Sequence, residues 1–286
     1  MSCLSRTSVT VSSPAKINLF LAVTGRRADG FHDLVSLVAP VAFGDELEVA
    51  VEPGGGDIVL TCDDERVPCG AQNLAVRAAE EFRMAAEVEV GVRIRMNKRI
   101  PMGAGLGGAS SNAAAVLRAL NTLLGSPLAE GDLRLLAASL GSDCPLFLFG
   151  EPCVMRGRGE RLERLPEAVA ARLAGRRLLL YKPDFSISTP WAYGALAAMA
   201  PSGYIESRLA EAMLSRWLSS SDGPETLLFN SFAAVADRKF MALPVLAERL
   251  RGMPGVQGVL MTGSGSASFA LLDEEADAQS LEAEIR

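Results

Sequence analysis

The sequence predicts an α+β protein of two domains. Three observations carry this. The chain has 286 residues, against roughly 150 per domain in ordinary globular proteins. Its opening third is patterned as strands, with apolar residues that alternate or run continuously. Its later part is patterned mainly as helices and closes on strand, glycine turn, strand and helix. With 49% hydrophobic residues the chain can fill a core without covalent staples.

Residues 8–23 (SVTVSSPAKINLFLAV) alternate and then run apolar around an early Pro14, which predicts strand, brief break, strand. GRRADG at 25–30 is turn chemistry, and 34–42 and 45–51 predict two further strands. EPGGGD at 52–57 predicts a hairpin connection into DIVLTC. Leu74, Ala78, Phe82 and Ala85 recur at helical spacing, so 73–86 is an amphipathic helix, while EVEVGVRIRM after it alternates as a strand. The glycine-rich PMGAGLGGASS at 101–111 leads into a helix that ends before Gly125 and Pro127. Asp132 is the expected N-cap of a helix over 132–140, followed by GSDCPLFLFG. The turn-rich stretch around 150–160 sets the predicted domain boundary, giving domains 1–155 and 156–286. Beyond it come a short strand in RRLLLYKP and a helix in STPWAYGALAAM, capped by Thr189 with Pro190 at its first position. Two or three helices fill 205–252, SSSDGPET at 219–226 reads as a flexible linker, and a last helix starts near 274.

Composition narrows function. The net charge of −6 argues against a general nucleic-acid binder, which would carry a basic stripe. Five cysteines, Cys3, Cys62, Cys69, Cys144 and Cys153, show no C-x-x-C or zinc spacing, so a reducing compartment is expected. No signal-like h-region and no long apolar run occur, which predicts a cytoplasmic protein without membrane contact. A single histidine, His32, excludes paired-histidine metal sites.

The informative segment is the glycine loop. Pro101, Met102, Gly103, Ala104, Gly105, Leu106, Gly107, Gly108, Ala109, Ser110 and Ser111 lie between a strand and a helix, where backbone N–H groups and the helix N-terminus can cradle phosphate. A Walker A loop needs Lys after its last glycine, but Ala109 and Ser110 follow Gly108. Gly103, Gly105 and Gly108 do match the dinucleotide pattern, leaving a nicotinamide oxidoreductase as a rival, although Glu130 and Asp132 introduce a helix instead of ending a strand. H-R-D and D-F-G are absent, so the protein-kinase reading fails. Lys16 stands amid apolar neighbours and Asp143 follows Gly141 and Ser142. From residue types alone the two could be a catalytic pair for phosphoryl transfer or a structural ion pair.

Three segments in order, SPAKINLFLAVTGRRADGFHDL at 13–34, PMGAGLGGASSNAAA from 101 and MTGSGSASFAL at 261–271, resemble the three motifs of the GHMP kinases. With GSDCP at 141–145, the likeness extends along essentially the whole chain to the branch acting on a methylerythritol that carries a cytidine diphosphate group. The resemblance implies an S5-like ATP-binding N-terminal domain, a ferredoxin-like substrate-binding C-terminal domain, ATP as phosphoryl donor and Mg2+ with unassigned ligands, Ser111 being the side chain suggested by analogy. It implies that Asp143 accepts the proton of the substrate's 2-hydroxyl and that Lys16 orients Asp143 and stabilises developing charge. Asn18, Phe31 and His32 fall in its substrate-binding segment, with His32 bonding the cytosine and an aromatic pair sandwiching it. Tyr193 is the expected second aromatic, ahead of Trp191 and Phe185. Thr189, Gly263, Ser264 and Gly265 complete the expected substrate contacts. Two residues depart from the family pattern: Phe31 replaces a common Tyr and Asn112 a common Asp. A GHMP kinase for mevalonate or homoserine, and a nucleotide sensor without turnover, remain as alternatives.

Overall fold

The structure is a computed structural model that describes residues 7–285, so Cys3 lies outside the described residues. By contact the chain forms two interleaved units. The first takes the chain up to Ala15 with Pro40–Met102 and Gly107–Glu151, and the second takes Lys16–Ala39, Gly103–Leu106 and the chain from Pro152 onward. The main division at 151/152 falls near residue 155, but the segments Lys16–Ala39 and Gly103–Leu106, which belong to the second unit, have no counterpart in a linear boundary.

Strands β1 (Ser8–Arg26) and β2 (His32–Pro53) run through both units, and each is continuous where the sequence predicts a break. Pro14 is tolerated because the strand that flanks β1 farther along pairs only at Phe20 and Leu21, so the missing N–H removes no bond from that partner. In the first unit β3 (Gly55–Cys62), α1 (Leu74–Ala85), β4 (Val90–Asn97), α2 (Gly108–Leu123), α3 (Glu130–Leu140) and α4 (Cys144–Phe149) follow. The sheet order β3-β4-β2 overturns the expected β2–β3 hairpin. β4 buries Val90, Val92, Ile94 and Met96 and takes the place between its neighbours. β3, mostly exposed along its length, is left at the edge and pairs parallel to β4 through the α1 crossover. Phe82 of α1 and Leu117 and Leu120 of α2 pack with these strand residues in one core.

Asn73 caps α1, its side chain accepting from Ala75 N at 2.9 Å. The buried face is Ala75, Val76, Ala78, Ala79 and Phe82, so Ala85 faces solvent, contrary to its predicted place in the stripe. Because α3 begins at Glu130, Asp132 sits in its first turn instead of capping it, and there it still complements the helix dipole. After α2 the chain passes to two helices, with no returning parallel strand. This removes the βαβ unit that a dinucleotide site needs.

The second unit adds β5 (Cys153–Gly157), β6 (Arg161–Arg164), α5 (Glu167–Ala171), β7 (Arg177–Tyr181), α6 (Thr189–Ala198), α7 (Ser207–Ser219), β8 (Phe229–Asn230), α8 (Ala233–Lys239), α9 (Ala242–Arg251), β9 (Val256–Met261), β10 (Ser268–Leu272) and α10 (Ala278–Ile285). β8 flanks β1, while β5 and β6 extend from β2. A second sheet runs β7-β10-β9, all antiparallel, and buries Val259 and Ala270 with Leu250 of α9 and Leu281 of α10. In this unit Ala15's successors on β1 and Leu34–Ala39 on β2 are buried on both faces, which accounts for their continuous apolar runs.

Ser188, not Thr189, caps α6 by accepting from Trp191 N. The segment 219–226 is tied down, not a loose linker. Trp217 Nε1 donates to Gly223 O at 3.0 Å, and Arg172 reaches Ser220 O and Asp222 O at 2.9 Å each while stacking on Trp217. The last helix starts at Ala278, four residues later than its pattern suggested. Among the described residues no helix is long and apolar enough to cross a membrane.

The buried ring of Phe82, wholly inaccessible in the first core, gives a direct test of this packing. Phe82→Ala should lower unfolding free energy by about 3–5 kcal/mol in urea. Met84→Ala, at a residue 65% exposed on the same helix, should stay within about 0.5 kcal/mol of the parent.

Candidate active site

Within the second unit the three glycine- and lysine-bearing segments converge on one ammonium group. Lys16 lies in β1 at 5% exposure, and its Nζ donates to Asn18 Oδ1 and to Gly105 O, both at 2.7 Å. Asn18 Oδ1 also accepts from Gly263 N at 3.1 Å, and its Nδ2 donates to Ser36 Oγ at 2.9 Å. The Asn18 backbone N–H donates to Thr262 Oγ1. Both ends of the Asn18 amide are therefore committed inside the protein.

The strip Gly103–Leu106 is laid down like a short strand. Lys16 N donates to Leu106 O at 3.0 Å and Ala267 N to Ala104 O at 3.1 Å. Ala104 and Leu106 turn inward, at 2% and 3% exposure, and Gly105 between them meets the 262–265 turn. A Cβ on Gly105 (φ +77°) would stand 2.5 Å from Thr262 O, and one on Gly263 (φ +55°) 2.7 Å from Gly105 O and 3.1 Å from Lys16 Nζ. Only glycine permits both the left-handed backbone and this approach. The turn is also held by Asn230 Nδ2, which donates to Met261 O and Gly263 O at 2.6 and 2.9 Å. Thr189 of α6 and Ser264 of the turn are joined through their hydroxyls at 2.8 Å.

A second group surrounds His32 in the same unit. Its ring stacks on Tyr193 with centroids 4.5 Å apart and planes at 25°, and Nε2 lies 3.2 Å from Tyr204 OH. Phe232 meets Tyr193 edge-on. Partial burial, and then the nearby Arg26 charge, lower the His32 pKa below the usual 6.5. Phe31 is half exposed under the Arg158 guanidinium, 4.6 Å from the ring centroid. Trp191 and Phe185 belong elsewhere, packed on Phe240 with Lys239 over the Trp191 ring.

In the first unit Gly107 occupies the N-cap of α2, and no side chain caps that helix, so its first N–H groups have no capping acceptor. The buried Ser111 hydroxyl pairs with Ser13 Oγ at 2.8 Å, and Ser13 also donates to Asn112 Oδ1 at 2.6 Å. Asp143, half-buried, stands at the N-cap of α4 without capping it. Beside it burial pushes the Cys144 thiol up to about 11, which leaves it inert as a nucleophile. Pro101, Met102 and Ala109 are exposed and Ser110 is half-buried.

Residues 73–151 match the family described as GHMP kinases N terminal domain. Over 280 residues the chain is 40% identical to a 4-diphosphocytidyl-2-C-methyl-D-erythritol kinase of Prochlorococcus marinus (strain MIT 9313), covering 95% of this chain and 86% of that one. The chain belongs to the 4-diphosphocytidyl-2-C-methyl-D-erythritol kinase family, within the GHMP kinases. A Geobacter sulfurreducens member is 36% identical over 269 residues, covering 93% of this chain and 91% of the relative. A crystal structure of a 4-(cytidine 5'-diphospho)-2C-methyl-D-erythritol kinase superposes with TM-score 0.76 at 38% identity and covers 96% of each chain. A mevalonate kinase structure shares the fold at TM-score 0.74 and 14% identity, covering 97% of this chain and 95% of its own. The GHMP-kinase α+β fold expected from the motifs is thus present.

Sequence reasoning missed Tyr204, Phe232, Asn230, Thr262, Ser36 and Ser13, all of which hold the expected residues in place. Ser13 opens the first motif and Thr262 lies in the third, directly before GSGS, while the other four sit in none. Phe31 keeps an aromatic face without a hydroxyl, and Asn112 keeps an oxygen to accept from Ser13.

Gly105→Ala should destabilise by more than about 2 kcal/mol, since the left-handed penalty alone is about 1–2. Gly175→Ala, at a positive φ with nothing near its Cβ, should cost only about 1–2 kcal/mol; thermal unfolding compares the two. For His32 the folded pKa lies below the unfolded 6.5. The unfolded state therefore binds more protons between the two values, so its stabilising contribution is complete above 6.5 and lost as pH falls through the folded value. Imidazole NMR should titrate below 6.5 when folded, and the stability gap between the parent and His32→Asn should narrow on acidification through that window.

Proposed function

We propose that the chain transfers the γ-phosphoryl group of ATP to the 2-hydroxyl of 4-diphosphocytidyl-2-C-methyl-D-erythritol, a step of the non-mevalonate route to isoprenoid precursors. The observation that carries this reading is the Lys16 ammonium, buried and aimed by Asn18 and Gly105 where all three family motifs meet. Membership in the family supports the substrate.

Phosphoryl transfer depends on positioning and charge stabilisation more than on covalent chemistry. Asp143 accepts the proton of the attacking hydroxyl, and Lys16 orients it and stabilises charge developing on that oxygen and the γ-phosphate. Asn18 acts through Lys16: with its amide spent on Lys16, Gly263 and Ser36, it is a positioning residue and not a direct substrate contact. The Pro101–Ser111 loop and the uncapped start of α2 receive the ATP phosphates. Magnesium, when bound with ATP, neutralises phosphate charge. The oxygen donor of Ser111, fixed by Ser13, suits such a hard cation. His32, Phe31 and Tyr193 recognise the cytosine, and Thr189, Gly263, Ser264 and Gly265 line the alcohol side. Residues 1–155 carry the ATP-binding elements and 156–286 most of the remaining substrate contacts.

A coupled ADP-release assay with ATP and magnesium tests this against mevalonate, homoserine and galactose. Turnover is expected only with the cytidyl alcohol. Lys16→Ala and Asp143→Ala should each lower kcat by ~10²–10⁴ with unchanged circular dichroism. Near-normal turnover in both variants would overturn the assignment of roles, and phosphorylation of another alcohol alone would overturn the substrate.

A further inference from the structure

Outside the groups described above, Asp45 and Lys98 form a buried ion pair among the described residues of the first unit. Asp45 of β2 and Lys98, just after β4, have side chains 0% and 7% exposed and meet at 2.7 Å. Asp45 Oδ1 accepts from the backbone N–H of Arg99 and of Ile100, each at 2.7 Å, and Oδ2 takes Lys98 Nζ. Lys98 Nζ donates in turn to Ile100 O at 2.5 Å. One carboxylate therefore holds three consecutive residues directly before Pro101.

The far end of the loop meets the same group. A Cβ on Gly108, the first residue of α2, would stand 3.0 Å from Ile100 Cγ2 and 3.3 Å from Lys98 Nζ. Entry and exit of the glycine loop are thus packed together, with an ammonium charge beside the positive end of α2. Stability does not account for such a pair, because well-packed apolar residues commonly replace buried ion pairs at no cost. What an apolar pair cannot do is accept two backbone N–H groups and so fix the direction in which the chain enters the loop.

We propose that Asp45 is a positioning residue for ATP: by clamping residues 98–100 against Gly108 it sets the spacing of the loop's two ends, and through that the affinity for the nucleotide's phosphates. This rests on the reading of Pro101–Ser111 as the ATP cradle. Neither Asp45 nor Lys98 reaches the alcohol in this scheme, so the effect is confined to ATP.

The test compares KM for ATP with KM for the cytidyl alcohol in the full chain. Asp45→Leu/Lys98→Met removes charge and acceptor together and should raise KM for ATP about tenfold or more, with KM for the alcohol within about twofold. Asp45→Asn/Lys98→Met restores an oxygen for the two N–H groups and should bring KM for ATP back towards the parent value. Asp45→Glu keeps the ion pair but displaces the carboxylate, and should raise KM for ATP severalfold; it decides the matter if the leucine variant does not fold. Unchanged KM for ATP in the folded variants, or parallel rises in both KM values, overturns the proposal. A parent chain with no saturable ATP binding overturns the loop reading itself, a different failure from saturable binding that the variants leave untouched.

Discussion

The meeting of the three glycine- and lysine-bearing segments depends on burying one ammonium group. Lys16 sits in a strand run that is apolar apart from Asn18, at 5% exposure. An ion taken out of water without partners costs several kcal/mol. Charge-assisted hydrogen bonds to Asn18 and Gly105 offset that cost, each worth roughly 1.5–3 kcal/mol. The two partners come from different motifs, and the Asn18 oxygen that receives Lys16 also receives the N–H of Gly263 from the third. Charge burial thereby makes three distant stretches of sequence interdependent. It also explains why Gly105 and Gly263 must be bare: their backbones approach one another as closely as the ammonium's coordination demands.

This dependence shapes what could be read from the sequence. Element types followed local pattern well, because the α1 stripe and the β4 alternation each report a single buried face. Strand order did not follow it. EPGGGD has all the chemistry of a hairpin turn, yet β4 takes the place beside β2, because burying Val92, Ile94 and Met96 outweighs the local preference for pairing neighbours. The break predicted at Pro14 failed as well: β8 pairs with β1 only at Phe20 and Leu21, so on that edge the missing N–H removes no ladder bond. The interleaving of the two units was equally hidden, since it arises from long-range pairing of Lys16–Ala39 and Gly103–Leu106 with the later chain.

Site residues divide along the same line. Lys16, His32, Gly105 and Gly263, all singled out in the sequence, fall in two groups within the second unit, and Tyr193, expected from outside the motifs, stacks on His32 there. Those that hold them were not legible, because Tyr204, Asn230 and Ser36 are ordinary residues whose roles exist only after folding. Asn18 shows the limit within a motif: its position was identified, but its bonding partners, which direct it at Lys16 instead of outward, became visible only in the structure.

The aromatic group carries a further constraint on how a base is received under the proposed reading. Stacked rings stand with centroids roughly 4.5–7 Å apart, and His32 and Tyr193 are separated by 4.5 Å. They are one stack deep and leave no room for a third ring between them. They therefore work as a single plate, braced edge-on by Phe232 and at Nε2 by Tyr204. On the proposed reading a cytosine packs against the outside of this plate, and its hydrogen bond to His32 falls to Nδ1, since Nε2 faces Tyr204. Partial burial and Arg26 both favour the neutral imidazole, so the ring can bond through Nδ1 without presenting a second positive charge. Loss of the tyrosine hydroxyl at Phe31 is tolerable on this account, because Phe31 contributes a face while His32, fixed by Tyr193 and Tyr204, contributes the polar contact.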